Sequence, residues 1–240
     1  MKNQKTEIQK LEEEHRLALS RISHEIRNPV TLINSSMQII EAEHPEVSTF
    51  AFWPEMKEDM AFLRRLLDEF SGYNNSDRQL VPEKIDTCVF LSEIASGAKA
   101  LSENPDVTFS WNIPDTLPVI IADRTKLRQA VTNLLRNAFE SGASRVSMDC
   151  LTKNELLEIH ISDNGCGISK EVEKDLFTPF VTHKPNGTGL GLSIVKRIME
   201  AHNGKIVYSS GNPGACFSLL LPTKIAASRK PAAIPPKCAI

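Results

Sequence analysis

Apolar residues recur in steps of three and four through the first forty positions: Ile8, Leu11, Ala18, Ile22, Ile26, Val30, Ile33, Met37 and Ile40, with His15 filling a gap in the row. That period places them on one face of a helix and predicts a single helix over 3–42. Its opening stretch, KTEIQKLEEEH, has few apolar positions, so the helix needs a partner for its stripe. His44-Pro45 ends it, and a connector holding Val47, Phe50, Phe52 and Trp53 is expected to plug the end of a helical hairpin. The returning helix, about 55–73, carries Met56, Met60, Leu63, Leu67, Phe70 and Tyr73 at the same spacing. One hairpin buries only one side of each stripe. Two hairpins packed as a four-helix bundle bury both, which predicts a homodimer through residues 5–73.

The pattern changes after a polar, turn-rich stretch, NNSDRQLVPEK, at 74–84, read as a linker. Short β-prone runs follow at 85–90, 107–113, 119–122, 144–151, 155–162 and 214–222. Helical runs alternate with them at 91–102, 124–141, 169–175 and 189–202. The expected fold is multidomain: an α hairpin over 1–73, then an α+β sandwich over 85–223 whose mixed sheet carries helices on one face. The tail, 224–240, is rich in Ala, Pro and Lys and is expected to be disordered.

Composition narrows the class without naming the chemistry. The formal net charge of −2 gives no sequence-wide attraction to nucleic acid or an anionic membrane. No apolar run approaches the roughly 20 residues that span a bilayer, so no membrane segment is expected. The cysteines, Cys88, Cys150, Cys166, Cys216 and Cys238, are scattered and include no CxxC pair. Neither a zinc site nor a disulfide framework is supported, and a cytoplasmic location fits best.

The candidate chemistry begins inside the first helix, at Ser23-His24-Glu25-Ile26-Arg27-Asn28-Pro29. His24 falls beside the apolar seam, where an imidazole can face solvent and reach a second site. A ring nitrogen can attack phosphorus, and Glu25 can orient the ring or accept its proton. Pro29 removes an N–H from the ladder and predicts a bend one turn later. Of the remaining histidines, His44, His160 and His202 read as surface or turn residues, while His183 lies in the predicted lid, where it could contact phosphate, with Lys184 the better candidate.

Three further segments suit a nucleotide. In DRTKLRQAVTNLLRNAFES, Asn133 and Asn137 are four apart and share a helix face, and an Asn carbonyl is a hard oxygen ligand suited to Mg²⁺. In DNGCGI, Asp163 ends a strand where a carboxylate can accept from an exocyclic amine, while Gly165 and Gly167 allow a tight turn and close approach to a ligand. In HKPNGTGLGLSIVKRIMEAHNGKI, Gly187, Gly189 and Gly191 open a helix whose backbone N–H groups can hold phosphate. Thr188 and Ser193 add hydroxyls there, and Lys184 stands just upstream. Gly204 is expected at the left-handed cap of that helix. The stretch from Pro179 to Gly187 reads as a mobile lid, with Phe177 and Phe180 as packing residues.

Taken in order, SHEIRNP, NLLRNAFES, DNGCGI, LFTPF and GTGLGLSI resemble the H, N, G1, F and G2 boxes of sensor histidine kinases over about residues 10–222. The resemblance implies a dimerising phosphoacceptor hairpin followed by a Bergerat-type ATP-binding domain of the α/β-sandwich class. It implies ATP and Mg²⁺ as ligands, His24 as phosphoacceptor and Glu25 as its acid/base partner. Asn137 would hold Mg²⁺ beside Asn133, and Asp163 would read adenine. Gly165, Gly167, Lys184, Gly187, Thr188, Gly189, Leu190 and Gly191 would line the nucleotide. A response-regulator receiver domain is the implied partner, docking near Ser35 and Gln38. Asn28, at i+4 from His24, is implied in dephosphorylating that partner.

Two other functions compete. Related ATPases hydrolyse ATP with a Glu near the start of the N box, but Asn133 stands there and an amide cannot accept a proton. A degenerate dimeric adaptor would show damaged boxes, and none of the five is visibly damaged.

Overall fold

The computed structural model describes residues 2–76, 80–102, 104–184, 187–211 and 213–223, with backbone alone for 2–20. Helix α1 (Lys2–Glu43) and helix α2 (Trp53–Ser76) are joined through a 3₁₀ turn at Pro45–Thr49. They run antiparallel, because Lys57 of α2 pairs with Glu41 near the end of α1 at 2.8 Å while Arg27 pairs with Asp68 at 3.2 Å. Helix α1 runs through Pro29 as one element, so the expected bend does not divide it. Proline costs the carbonyl of Glu25 its ladder partner.

Val30, Met37 and Leu67 are buried in the hairpin, whereas Ile22, Ile26, Ile33 and Ile40 of the same predicted seam are exposed within one chain. The side chains of Ile8, Leu11, His15 and Ala18, the chain at 77–79 and the tail from 224 lie outside the described residues. At the hairpin tip only Val47 and Trp53 close over Met37. Phe50 and Phe52 point outward, so the expected plug is built from two of its four residues. The α2 stripe also divides. Leu67 is buried in the hairpin, but Phe70 and Tyr73 pack against the core of the second domain.

That domain opens on β1 (Glu83–Asp86), which pairs antiparallel with β3 (Val119–Ala122). The strand expected over 85–90 stops at Asp86, whose Oδ1 accepts from the N–H of Val89 at 3.1 Å and so caps α3 (Thr87–Ala98). Five strands form the main sheet in the order β2 (Thr108–Asn112), β4 (Arg145–Lys153), β5 (Leu156–Asp163), β7 (Ala215–Pro222), β6 (Lys205–Ser210). The β2–β4 pair is parallel and the others antiparallel, so the sheet is mixed as expected. Strand β6 was not foreseen. Helices α4 (Arg124–Phe139) and α6 (Gly191–Ala201) supply Leu127, Leu134, Leu135, Ile194 and Ile198 to a core completed by Met148, Leu157, Ile159 and Leu219. A short helix, α5 (Lys170–Glu173), lies between β5 and the glycine-rich loop.

Helix α6 ends on Asn203 with φ +55°, and the N–H of Gly204 donates to the carbonyl of Met199 at 2.8 Å. The left-handed cap is therefore Asn203, one residue before the glycine expected to fill it. His202 is half-buried rather than a surface group. Its Nδ1 donates to the carbonyl of Ile198 at 2.7 Å, and its Nε2 accepts from the N–H of Asp123 at 3.0 Å. Asp123 caps α4 through Oδ1 to Lys126 N at 3.0 Å and holds the incoming chain through Oδ2 to Val81 N at 3.0 Å. Lys126 Nζ donates to the carbonyl of Ser76 at 3.1 Å. The linker is thus pinned on both sides to the start of α4.

The described cysteines, Cys88, Cys150, Cys166 and Cys216, are free thiols. Burial pushes the Cys150 thiol up to about 12, which leaves it inert.

Candidate nucleotide site

The N-box asparagines face the glycine-rich loop because α4 and α6 lie side by side on the sheet. Asn133 Nδ2 donates to the carbonyl of Gly191 at 3.4 Å, and Asn137 sits one turn further along the same face. Asp163 enters from the end of β5. Its Oδ1 accepts from the Ser141 hydroxyl at 3.0 Å and from the N–H of Gly165 at 2.9 Å, which fixes the carboxylate at the cavity wall.

These groups meet around a cavity of about 480 Å³, the size range of small-molecule sites. Asn133, Asn137, Asp163, Gly167, Lys184, Gly187, Thr188, Gly189 and Gly191 all line it. Three predicted residues do not: Ser193 is buried, with its hydroxyl donating to the carbonyl of Leu190 at 2.8 Å. Gly165 instead allows the turn to press against Ser141, whose carbonyl would stand 2.6 Å from an added Cβ. Leu190 is fully buried and belongs to the core, with its N–H donating to Thr188 Oγ1 at 3.2 Å. His24, Glu25 and Asn28 are exposed on α1 and are not part of the cavity wall.

The lid is set by Gly189. Its φ is +70°, and a Cβ there would lie 2.6 Å from the carbonyl carbon of Phe180. The paired strand-like contact, Phe180 N to Gly189 O at 3.0 Å, needs that close approach. Phe180 itself has φ +64° and is exposed rather than packed into the lid, with Tyr73 of α2 6.2 Å away ring to ring. Pro185 and Asn186 lie outside the described residues.

The cavity's charges are paired across elements. Lys184 Nζ donates to Glu140 Oε2 at 2.8 Å and to Asn137 Oδ1 at 3.4 Å. Two hard oxygens therefore already converge on a cation, and this donor set fits Mg²⁺, which takes few protein ligands and keeps several waters. Opposite them, Thr188 Oγ1 donates to Glu69 Oε2 of α2, and Arg136 Nη1 lies 3.9 Å from Glu69 Oε1. Arg65 and Glu69 bring the hairpin into the wall. Arg136 and Ser141 were missed from sequence, though they follow Asn133 and Asn137 by three and four residues; Glu140, three after Asn137, is not the base that a direct ATPase would carry. Glu69 carried no sequence signal, because its place depends on how the hairpin meets the second domain.

Residues 122–225 match the family of histidine kinase-, DNA gyrase B- and HSP90-like ATPases. The chain is 31% identical over 208 residues to the signal transduction histidine-protein kinase AtoS of Escherichia coli K12, covering 84% of this chain and 34% of that protein. It is 30% identical to the adaptive-response sensory kinase SasA of Synechococcus sp. CC9311, covering 90% and 59% respectively. The sensor histidine kinase WalK of Bacillus subtilis 168 is 30% identical, with 91% and 38% covered. The chain thus spans about one third to three fifths of the curated relatives it matches. Among solved structures, full-length ShkA in complex with AMPPNP shares the fold at a TM-score of 0.72 and 22% identity, over 88% of this chain and 46% of that one. The mycobacterial sensor histidine kinase MprB superposes at a TM-score of 0.52 and 26% identity over 59% and 97%.

Proposed function

The chain belongs to the sensor histidine kinase family, and from that premise we propose that it is an ATP-dependent protein-histidine kinase that phosphorylates its own His24. The observation that carries this reading is the convergence of Asn137, Asp163 and Thr188 on one cavity whose wall also includes the phosphoacceptor hairpin. Asp163 accepts from the exocyclic amine of adenine, held in aim by Ser141 and Gly165. Thr188 and the N–H groups opening α6 hold the phosphates, with Lys184 moving to them from Glu140. Asn137, with Asn133 beside it, holds Mg²⁺, which when bound neutralises charge on the phosphate oxygens.

In the transfer step a ring nitrogen of His24 forms a bond to the γ-phosphorus as the bond to the ADP oxygen breaks. Glu25 takes the imidazole proton. Positioning and electrostatics supply most of the rate. Because His24 stands off the cavity, the second domain must leave its present seat on α2 for the step to occur. The exposed row of Ile22, Ile26, Ile33 and Ile40 supports a second copy completing a four-helix bundle. The phosphoryl group then passes to an aspartate of a response-regulator receiver domain, and the Asn28 amide orients water to attack that phosphoaspartate, releasing the carboxylate and inorganic phosphate. No helix among the described residues is long and apolar enough to cross a membrane.

The test is incubation of wild type and His24→Gln with γ-labelled ATP and Mg²⁺. Acid-labile, base-stable label on the wild type alone is expected. Free phosphate released equally by both proteins, with no label, overturns the reading in favour of a direct ATPase. Asn28→Ala is expected to lose phosphatase activity toward a phosphorylated receiver while keeping its label; equal loss of both in a folded protein removes Asn28 from that role.

A further inference from the structure

The last turns of α2 do more than touch the second domain. Gly72 packs close on it: an added Cβ would push aside the flexible end of the Gln129 side chain of α4 and stand 3.7 Å from Ile194 Cδ1 of α6. Tyr73 follows, with the Arg197 guanidinium 4.0 Å from its ring centroid and donating to its carbonyl at 3.4 Å. This seat carries Glu69 into the cavity with its side chain 16% exposed. There it accepts from Thr188, in the loop read above as phosphate-binding, and faces Arg136, the guanidinium between the two N-box asparagines.

A carboxylate that takes a hydroxyl donor and a guanidinium in this loop makes the contacts a phosphate would make. The two anions cannot share them: like charges at such a distance repel, and partial burial strengthens that repulsion. We infer that Glu69 is an internal phosphate mimic that holds the second domain on α2 and competes with the nucleotide's phosphates for Thr188 and Arg136. The inference rests on the nucleotide reading of the cavity. The arrangement is autoinhibitory in two senses. It occupies the phosphate corner, and it keeps His24 off the cavity wall. By linkage, whatever factor docking takes from nucleotide affinity, bound nucleotide takes from docking. A displacement of α2 that withdraws Glu69 therefore raises nucleotide affinity and frees the domain to reach His24 in one event.

The experiment is titration calorimetry of the full chain with a non-hydrolysable ATP analogue and Mg²⁺, on wild type, Glu69→Gln, Glu69→Ala, Tyr73→Ala and Tyr73→Ala/Glu69→Gln. Both Glu69 variants are expected to bind about fivefold or more tightly than wild type, at the lower end of measured couplings. Tyr73→Ala, which loosens the seat, is expected to tighten binding similarly, and adding Glu69→Gln to it to change affinity less than about twofold. Unchanged or weakened binding by folded Glu69 variants overturns the inference. So does a full Glu69→Gln effect that persists in the Tyr73→Ala background, since the carboxylate would then act without docking. Folded wild type that does not bind the analogue overturns the nucleotide reading itself, an outcome distinct from binding that is indifferent to Glu69.

Discussion

The two halves of the chain bury their apolar residues to very different extents. In the sandwich, Leu127, Leu134, Ile159 and Ile198 are fully buried within one chain. In the hairpin, Ile22 is 48% exposed, Ile33 50% and Leu32 69%, although the helical period is as clear there as anywhere. The sandwich closes its own core because a sheet and a layer of helices cover each other. A pair of helices has two apolar edges and covers one. The half that holds the cavity therefore closes its own core, and the half that carries His24 leaves an apolar edge uncovered.

The largest expected effect tests the self-sufficient half. Leu134→Ala should cost about 2–5 kcal/mol of sandwich stability, independent of protein concentration, as read by denaturant unfolding. Ile26→Asp should instead act on association. Sedimentation should show the proposed dimer weakened tenfold or more, about 1.4 kcal/mol, with the sandwich midpoint unmoved. Equal shifts of both properties in either variant break the comparison.

Smaller effects sharpen it at the junction. Asp123→Ala removes the α4 cap and the hold on Val81 and should cost about 1 kcal/mol in the sandwich transition. Acidification probes the same place. Burial lowers the His202 pKa, outweighing the help it receives from the Ile198 carbonyl and Asp123, while Lys126 adds to the depression. A folded pKa below the ordinary 6.5 means that stability is fully present above that pH and is lost as pH falls through the folded value. Thermal midpoints should therefore fall between pH 7 and 5 in wild type and fall less in His202→Gln. Asp123 acts lower still. Burial raises its carboxyl, but the amides of Val81 and Lys126 outweigh that and hold it below its ordinary value, so its contribution is lost only below about pH 4.

The periodicity of the chain carried most of this architecture. Strand 119–122 was legible because Val119, Ile120 and Ile121 form a short β-branched run whose signal is local. Strand β6 was not, since KIVYSS lies at the sheet edge, where β7 supplies its pairing partner. Thr87–Phe90 read as strand because β-branched and aromatic residues dominate it, and the competing signal was one capping carboxylate, Asp86. In the site, the residues drawn from the N, G1 and G2 boxes line the cavity apart from Gly165, Leu190 and Ser193, whose places are set by packing, while His24, Glu25 and Asn28 of the H box lie off it. Glu69 and the His202–Asp123 pin needed the three-dimensional arrangement, because nothing local distinguishes a helix-surface glutamate that reaches another domain from one that meets water.

The pins on either side of the linker also set a leash. Lys126 holds Ser76 and Asp123 holds Val81, so the chain between them reaches about 17 Å at full extension. Because both pins belong to α4, any excursion of the sandwich from the end of α2 has to unpick Lys126 from Ser76, and one beyond that reach has to unwind the end of α2 or release Val81 as well. How far the sandwich can stand from the hairpin is therefore decided at the first turn of α4.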